Sequence, residues 1–133
     1  MTREDCILER LRRICLALPE ANEVTTWGHP TFRAGKRMFA VFEQYRGEWS
    51  IAFKAGLAAQ ASLLKDHRFY LTPYIGQQGW VSLKVRGRVS WKEIERLVFQ
   101  SYRLVALKRM LDVIDGRLGR PCPPHLARAT LSR

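Results

Sequence analysis

Residues 31–54 read TFRAGKRMFAVFEQYRGEWSIAFK, and their period decides the fold. Thr31–Ala34 and Arg37–Phe42 flank Gly35-Lys36, a two-residue break suited to a hairpin turn. Trp49–Lys54 follows a second break at Arg46-Gly47. In that third run Trp49, Ile51 and Phe53 fall on one face, with Ser50, Ala52 and Lys54 on the other. Three runs at a period near two, joined by tight turns, predict an antiparallel meander.

On either side of it the period changes to that of a helix. Thr2 to Leu18 places Ile7, Leu8, Leu11, Ile14, Cys15 and Leu18 at three- and four-residue steps. Thr2 is the predicted N-cap, Asp5 its capping-box partner, and Pro19 the stop. The Trp27-Gly-His-Pro30 segment reads as a turn, with Trp27 packed inward and Pro30 holding His29 extended. Beyond the meander, Leu57 to about Asp66 predicts a second helix, and Arg68 to Gly79 a short strand followed by a loop. Gly76 and Gly79 are expected to supply unusual dihedrals there. Trp80 to Arg86 alternates again: Val81, Leu83 and Val85 face the core, while Trp80, Ser82, Lys84 and Arg86 face water. Ser90-Trp-Lys-Glu93 is a full capping box that starts the longest helix, to about Met110. Residues 112–133 read as a basic tail containing glycine and proline, outside a domain spanning 1–111. The fold class is therefore α+β: a two-layer sandwich with an antiparallel sheet and helices on one face.

The chain has 133 residues, enough for one domain with a sizeable core. Its formal charge is +11, distributed unevenly. Residues 1–66 hold 10 basic and 8 acidic side chains; residues 67–133 hold 13 and 4. Such an excess suits a polyanionic partner. Two clusters carry the expectation of phosphate contact: Arg33, Lys36 and Arg37 at the first hairpin, and Lys84, Arg86 and Arg88 on the last strand, where Trp80 is placed to stack on a base. No helix has the spacing and N-terminal side chains that read base edges, so double-stranded DNA would be bound with low sequence specificity. A rival expectation is a module that binds a ligand or partner in an aromatic groove around Trp27, Tyr74 and Trp80.

Catalytic chemistry finds no footing. The histidines His29, His67 and His125 lack metal-ligand spacing, and no nucleophile elbow, phosphate-binding loop or dinucleotide fingerprint occurs. The expectation is a non-enzymatic protein without cofactor or metal. Charges in MTREDCILERLRR occupy the place of a secretory apolar region, and no apolar run is long enough to span a membrane. Cys6, Cys15 and Cys122 are an odd, unpaired set, read as reduced thiols in a cytoplasmic protein, with Cys6 and Cys15 as small buried residues.

Several segments in order resemble the MmcQ/YjbR family of small bacterial proteins. They are Cys15-Leu-Ala-Leu-Pro19, Trp27-Gly-His-Pro-Thr-Phe32, Lys36-Arg-Met-Phe-Ala40, Tyr74-Ile-Gly-Gln-Gln-Gly-Trp-Val81 and the closing helix with Ser101-Tyr102 and Val105-Ala106. The resemblance covers residues 1–111 and implies a CyaY-like two-layer fold and DNA binding through a double-wing arrangement. It supplies no catalytic residues. The fold name is shared with frataxin, which handles iron on an acidic helix. This chain departs there, since Glu4, Asp5 and Glu9 are interleaved with Arg10, Arg12 and Arg13.

Overall fold

The computed structural model describes residues 2–117. The elements, in chain order, are α1 (Arg3–Leu16), β1 (Ala21–Thr26), β2 (His29–Ala34), β3 (Arg37–Tyr45), β4 (Glu48–Lys54), α2 (Leu57–Leu63), β5 (Phe69–Leu71), β6 (Trp80–Lys84), α3 (Trp91–Val105) and α4 (Lys108–Arg117). The six strands form one antiparallel sheet in the order β1-β2-β3-β4-β6-β5.

The meander and the three principal helices stand where the hydrophobic periods place them. Thr2 Oγ1 accepts from the Asp5 amide at 3.1 Å, and the Asp5 carboxylate accepts from the Thr2 amide at 3.1 Å, closing the capping box. Ser90 caps α3 by accepting from the Glu93 amide at 3.2 Å. The carboxylate of Glu93 is drawn away to Arg68, 2.8 Å distant. The long helix stops at Val105 because Ala106 is extended, and a separate α4 follows. That helix belongs to the core: Met110, Leu111 and Ile114 are buried, so packing continues past residue 111. The tail segment beyond 117, with His125 and Cys122, lies outside the described residues.

One face of the sheet packs on α1, α3 and α4. Phe32, Ala40, Phe42, Ile51, Phe53, Val81, Leu83 and Val85 meet Leu11, Ile94, Leu97, Val98 and Tyr102 there. The alternation 81/83/85 is as the sequence predicts, each residue being under 5% exposed. Cys15 is buried in this layer, and desolvation pushes its thiol above its ordinary range. Cys6, expected to be buried, is exposed.

Three features depart from the sequence reading. Strand β1 was not foreseen. It is an edge strand whose residues are all half-buried or exposed, so no apolar alternation marks it. Trp27 does not pack inward. The register pairs Thr26 with His29, leaving Trp27-Gly28 as a two-residue turn with φ +54° and +80°, and the indole is 93% exposed. Trp80 does not face water. It is on the face opposite the helices, as its parity requires, but it is 2% exposed and packed with Val41, Ala52, Met38 and Ile75. The second face of the sheet is thus partly covered, and the loop 72–79 supplies the cover.

Candidate functional site

A β3 strand reading Met38-Phe-Ala-Val-Phe42 is apolar at both parities, so both of its faces need cover. Phe42 goes to the helices. Val41, and beyond it Glu43 and Tyr45, go to the second face, where Val41 pairs with Thr31 and Ala52, and Ala52 with Ser82. The loop after β5 closes over part of this row. Thr72 and Ser82 share a hydrogen bond of 3.0 Å. Gln60, buried on α2, donates to the carbonyls of Gly76 at 2.7 Å and Trp80 at 3.0 Å. Gly79, at φ +88°, brings the loop against Gly56, and its carbonyl accepts from the Ala55 amide at 2.8 Å. A Cβ on Gly79 would lie 3.0 Å from Gly56 Cα, so the close approach needs glycine for space as well as for its dihedral.

The uncovered remainder is a groove of about 580 Å³, within the range of small-molecule sites. Val41, Ala52, Met38, Pro73 and Ile75 give it an apolar lining; Thr31, Thr72, His29 and Glu43 add polar groups. Trp27 and Tyr74 also line it, and at 93% and 91% exposure they stand at its mouth. Both aromatic residues hold positive φ, +54° and +70°. For a bulky residue that conformation costs on the order of 1–2 kcal/mol. Strained backbone of this kind concentrates at binding and switch sites.

Glu43 is the anomaly on the groove floor. Burial holds its carboxyl above its ordinary value, with the charge of His29 pulling weakly the other way. Among the described residues no lysine or arginine pairs with it. Elsewhere on the same sheet Glu48 is paired with Arg86, and Glu23 with Arg12 at 2.6 Å.

The basic residues singled out from sequence lie elsewhere. Arg33, Lys36 and Arg37 cluster at the β2–β3 turn, with Lys36 and Arg37 exposed. Lys84, Arg86 and Arg88 line a depression of about 250 Å³ together with His67, Arg68 and Ser90. The two clusters occupy opposite ends of the nine-residue β3, about 27 Å apart at roughly 3.3 Å per residue. Several charges are already engaged. Arg86 grips Glu48, Lys84 donates to the His67 carbonyl at 3.2 Å, and Arg68 bridges Asp66 and Glu93. The Arg68 guanidinium holds the Asp66 carboxyl down to about 2. Trp80, buried, has no ring face free for a base.

Of the aromatic groove expected from sequence, Trp27 and Tyr74 both line the mouth, while Trp80 is buried against Val41, Ala52, Met38 and Ile75 and does not line it. Glu43, Thr31, Met38, Val41, Tyr45 and Ile75 were missed as lining. The signal available was a charged residue at the parity of Val41 in a strand apolar on both sides.

The strain at Trp27 gives a direct expectation. Trp27→Asn places at the first turn position a residue that tolerates positive φ and precedes glycine, and should raise stability by about 1 kcal/mol in urea denaturation. An unchanged or lower midpoint would mean that the indole makes contacts which offset its strain.

A model of the YjbR family matches residues 16–104. No curated protein matches the sequence. A Deinococcus radiodurans protein described as containing the domain DUF419 has a similar crystal structure, with TM-score 0.65 and 22% identity over 86% of this chain and 88% of that one. A Pseudomonas syringae protein of known structure gives 0.60 and 18% over 78% and 98%. At these identities the likeness is one of fold.

Proposed function

The chain belongs to the YjbR family, and from that premise we propose that it is a binding protein without catalytic activity, whose working surface is the groove on the open face of the sheet. The observation that carries this reading is Glu43. A half-buried carboxylate with no lysine or arginine partner and only His29 near it, set in an apolar floor, costs stability that a cationic ligand would offset. The groove's volume, its apolar lining with few polar groups, and the exposed Trp27 and Tyr74 at its mouth support the same conclusion. The proposal is tested by screening small organic molecules against ¹⁵N-labelled protein while following the Trp27 indole N–H resonance. Ligands should alter that signal in the native protein, and a Val41→Arg variant, which fills the floor with a charged side chain, should lose the response.

A second reading, phosphate contact with duplex DNA, has one observation in its favour: Lys84, Arg86 and Arg88 share a depression with His67 and Arg68. Its signature is salt dependence. Four to six neutralised phosphates give a slope of roughly −4 to −5 in log affinity against log salt. Lys84→Ala with Arg86→Ala should flatten that slope by about two. Absence of binding to random duplex at about 50 mM salt would remove this reading. Among the described residues no helix is long and apolar enough to cross a membrane.

A further inference from the structure

The chemistry of the groove narrows the ligand, given the reading above that the groove is a binding site. The chain carries 23 lysines and arginines, yet none of them lines this groove. Its one acidic lining residue is Glu43. Three other partly buried carboxylates are matched: Glu23 by Arg12, Glu48 by Arg86 and Glu93 by Arg68. Glu43, like Glu4 on α1, has no lysine or arginine in ion-pair contact among the described residues, and unlike Glu4 it lines a groove. On a strongly basic protein that is a local reversal of sign, and it repels anions least where the apolar floor lies.

The aromatic lining has the same preference. Trp27 and Tyr74 offer exposed π faces, which attract cations. At the groove's edge the Arg46 guanidinium already lies over the Tyr45 ring, 5.3 Å from its centroid. The floor of Val41, Ala52 and Ile75 disfavours a hydrated metal ion, which would have to shed water for one carboxylate and a few hydroxyls. A bulky, weakly hydrated cation has no such difficulty.

We propose that the groove binds a small organic ammonium ion, its apolar body on Met38, Val41 and Ile75 and its cationic head at Glu43 between the rings of Trp27 and Tyr74. Charge and shape are then complementary at one place, and the ligand supplies the partner that Glu43 lacks.

The test compares two probes of one shape and different charge, 3-(trimethylammonio)phenol and 3-tert-butylphenol, titrated into ¹⁵N-labelled protein. Both are followed at the amides of Val41, Glu43 and Ile75 and at the Trp27 indole. The cation should bind about tenfold or more tightly than its neutral isostere. Glu43→Gln and Trp27→Leu should each shrink that preference. Glu95→Gln, which removes the same charge from an exposed helix position, should leave it unchanged. Equal binding of both probes in the groove would overturn the ammonium assignment and leave the groove as a binding site. Failure of both to shift the groove amides would overturn the two together.

Discussion

Ser101→Ala is expected to lower the stability of the fold by about 3 kcal/mol, with a melting midpoint roughly 10 °C lower. Ser101 is fully buried on α3. Its hydroxyl donates to the Phe39 carbonyl at 2.7 Å and accepts from the Lys54 amide at 2.9 Å. The β3–β4 ladder runs only as far as the pair Ala40–Phe53, and β3 is irregular beside β2 near Phe39. The hydroxyl therefore stands in for the next rung and ties the strand pair to the helix. Alanine removes it and leaves an amide and a carbonyl unmet, each costing about 1–3 kcal/mol. Because Met38 and Val41 flank this junction, the same bridge fixes the groove floor. Urea denaturation should show a shifted midpoint with an unchanged slope. A loss below about 1 kcal/mol would mean that neighbouring groups take over both hydrogen bonds.

Glu43→Gln is expected to separate stability from binding. Burial raises the folded-state pKa of Glu43 above its ordinary value of 4.5. A carboxyl shifted in that direction favours the folded state fully below its unfolded pKa, and this contribution is lost as pH rises through the folded pKa. Glutamine cannot ionise, so the variant escapes the loss. Melting curves for variant and native protein should agree in their pH response near pH 4 and diverge by about pH 8, where the variant is the more stable. The same substitution should weaken binding of the ammonium probe about tenfold, since it removes the groove's negative charge. A variant less stable than the native protein at neutral pH would show that the carboxylate is already satisfied within the fold.

The difference between what the residues declared and what they concealed follows from how each element is stabilised. Runs that bury one clean face, such as Trp80–Lys84 or the stripe of α3, announce themselves by period, and the capping groups Thr2 and Ser90 mark the helix starts. Strand β1 did not, because it is held by backbone pairing with β2 and by ion pairs such as Arg12–Glu23 rather than by apolar burial. The break between α3 and α4 carries no glycine or proline: Ala106 simply turns extended so that Met110 and Ile114 reach the core. Period likewise gave the facing of Trp80 without its burial, since covering the second face depends on a loop pinned by Gln60 from a distant helix. Trp27 and Tyr74 were legible as aromatics of a groove; Glu43 was not, for its significance is the lack of a lysine or arginine partner, which only tertiary packing decides. The net charge, prominent in composition, is spread between clusters at two ends of the sheet and partly consumed by local carboxylates.

On the proposal above, the open-face groove is the surface this protein works with. The most direct measurement is a ¹H–¹⁵N spectrum of the native protein titrated with a mixed fragment set of small amines, neutral aromatics and carboxylic acids. Perturbations are expected to gather at residues 26–31, 38–45 and 72–75, strongest for the amines. Perturbations gathered instead around Lys84–Arg88 or Arg33–Arg37, with the groove silent, would contradict it.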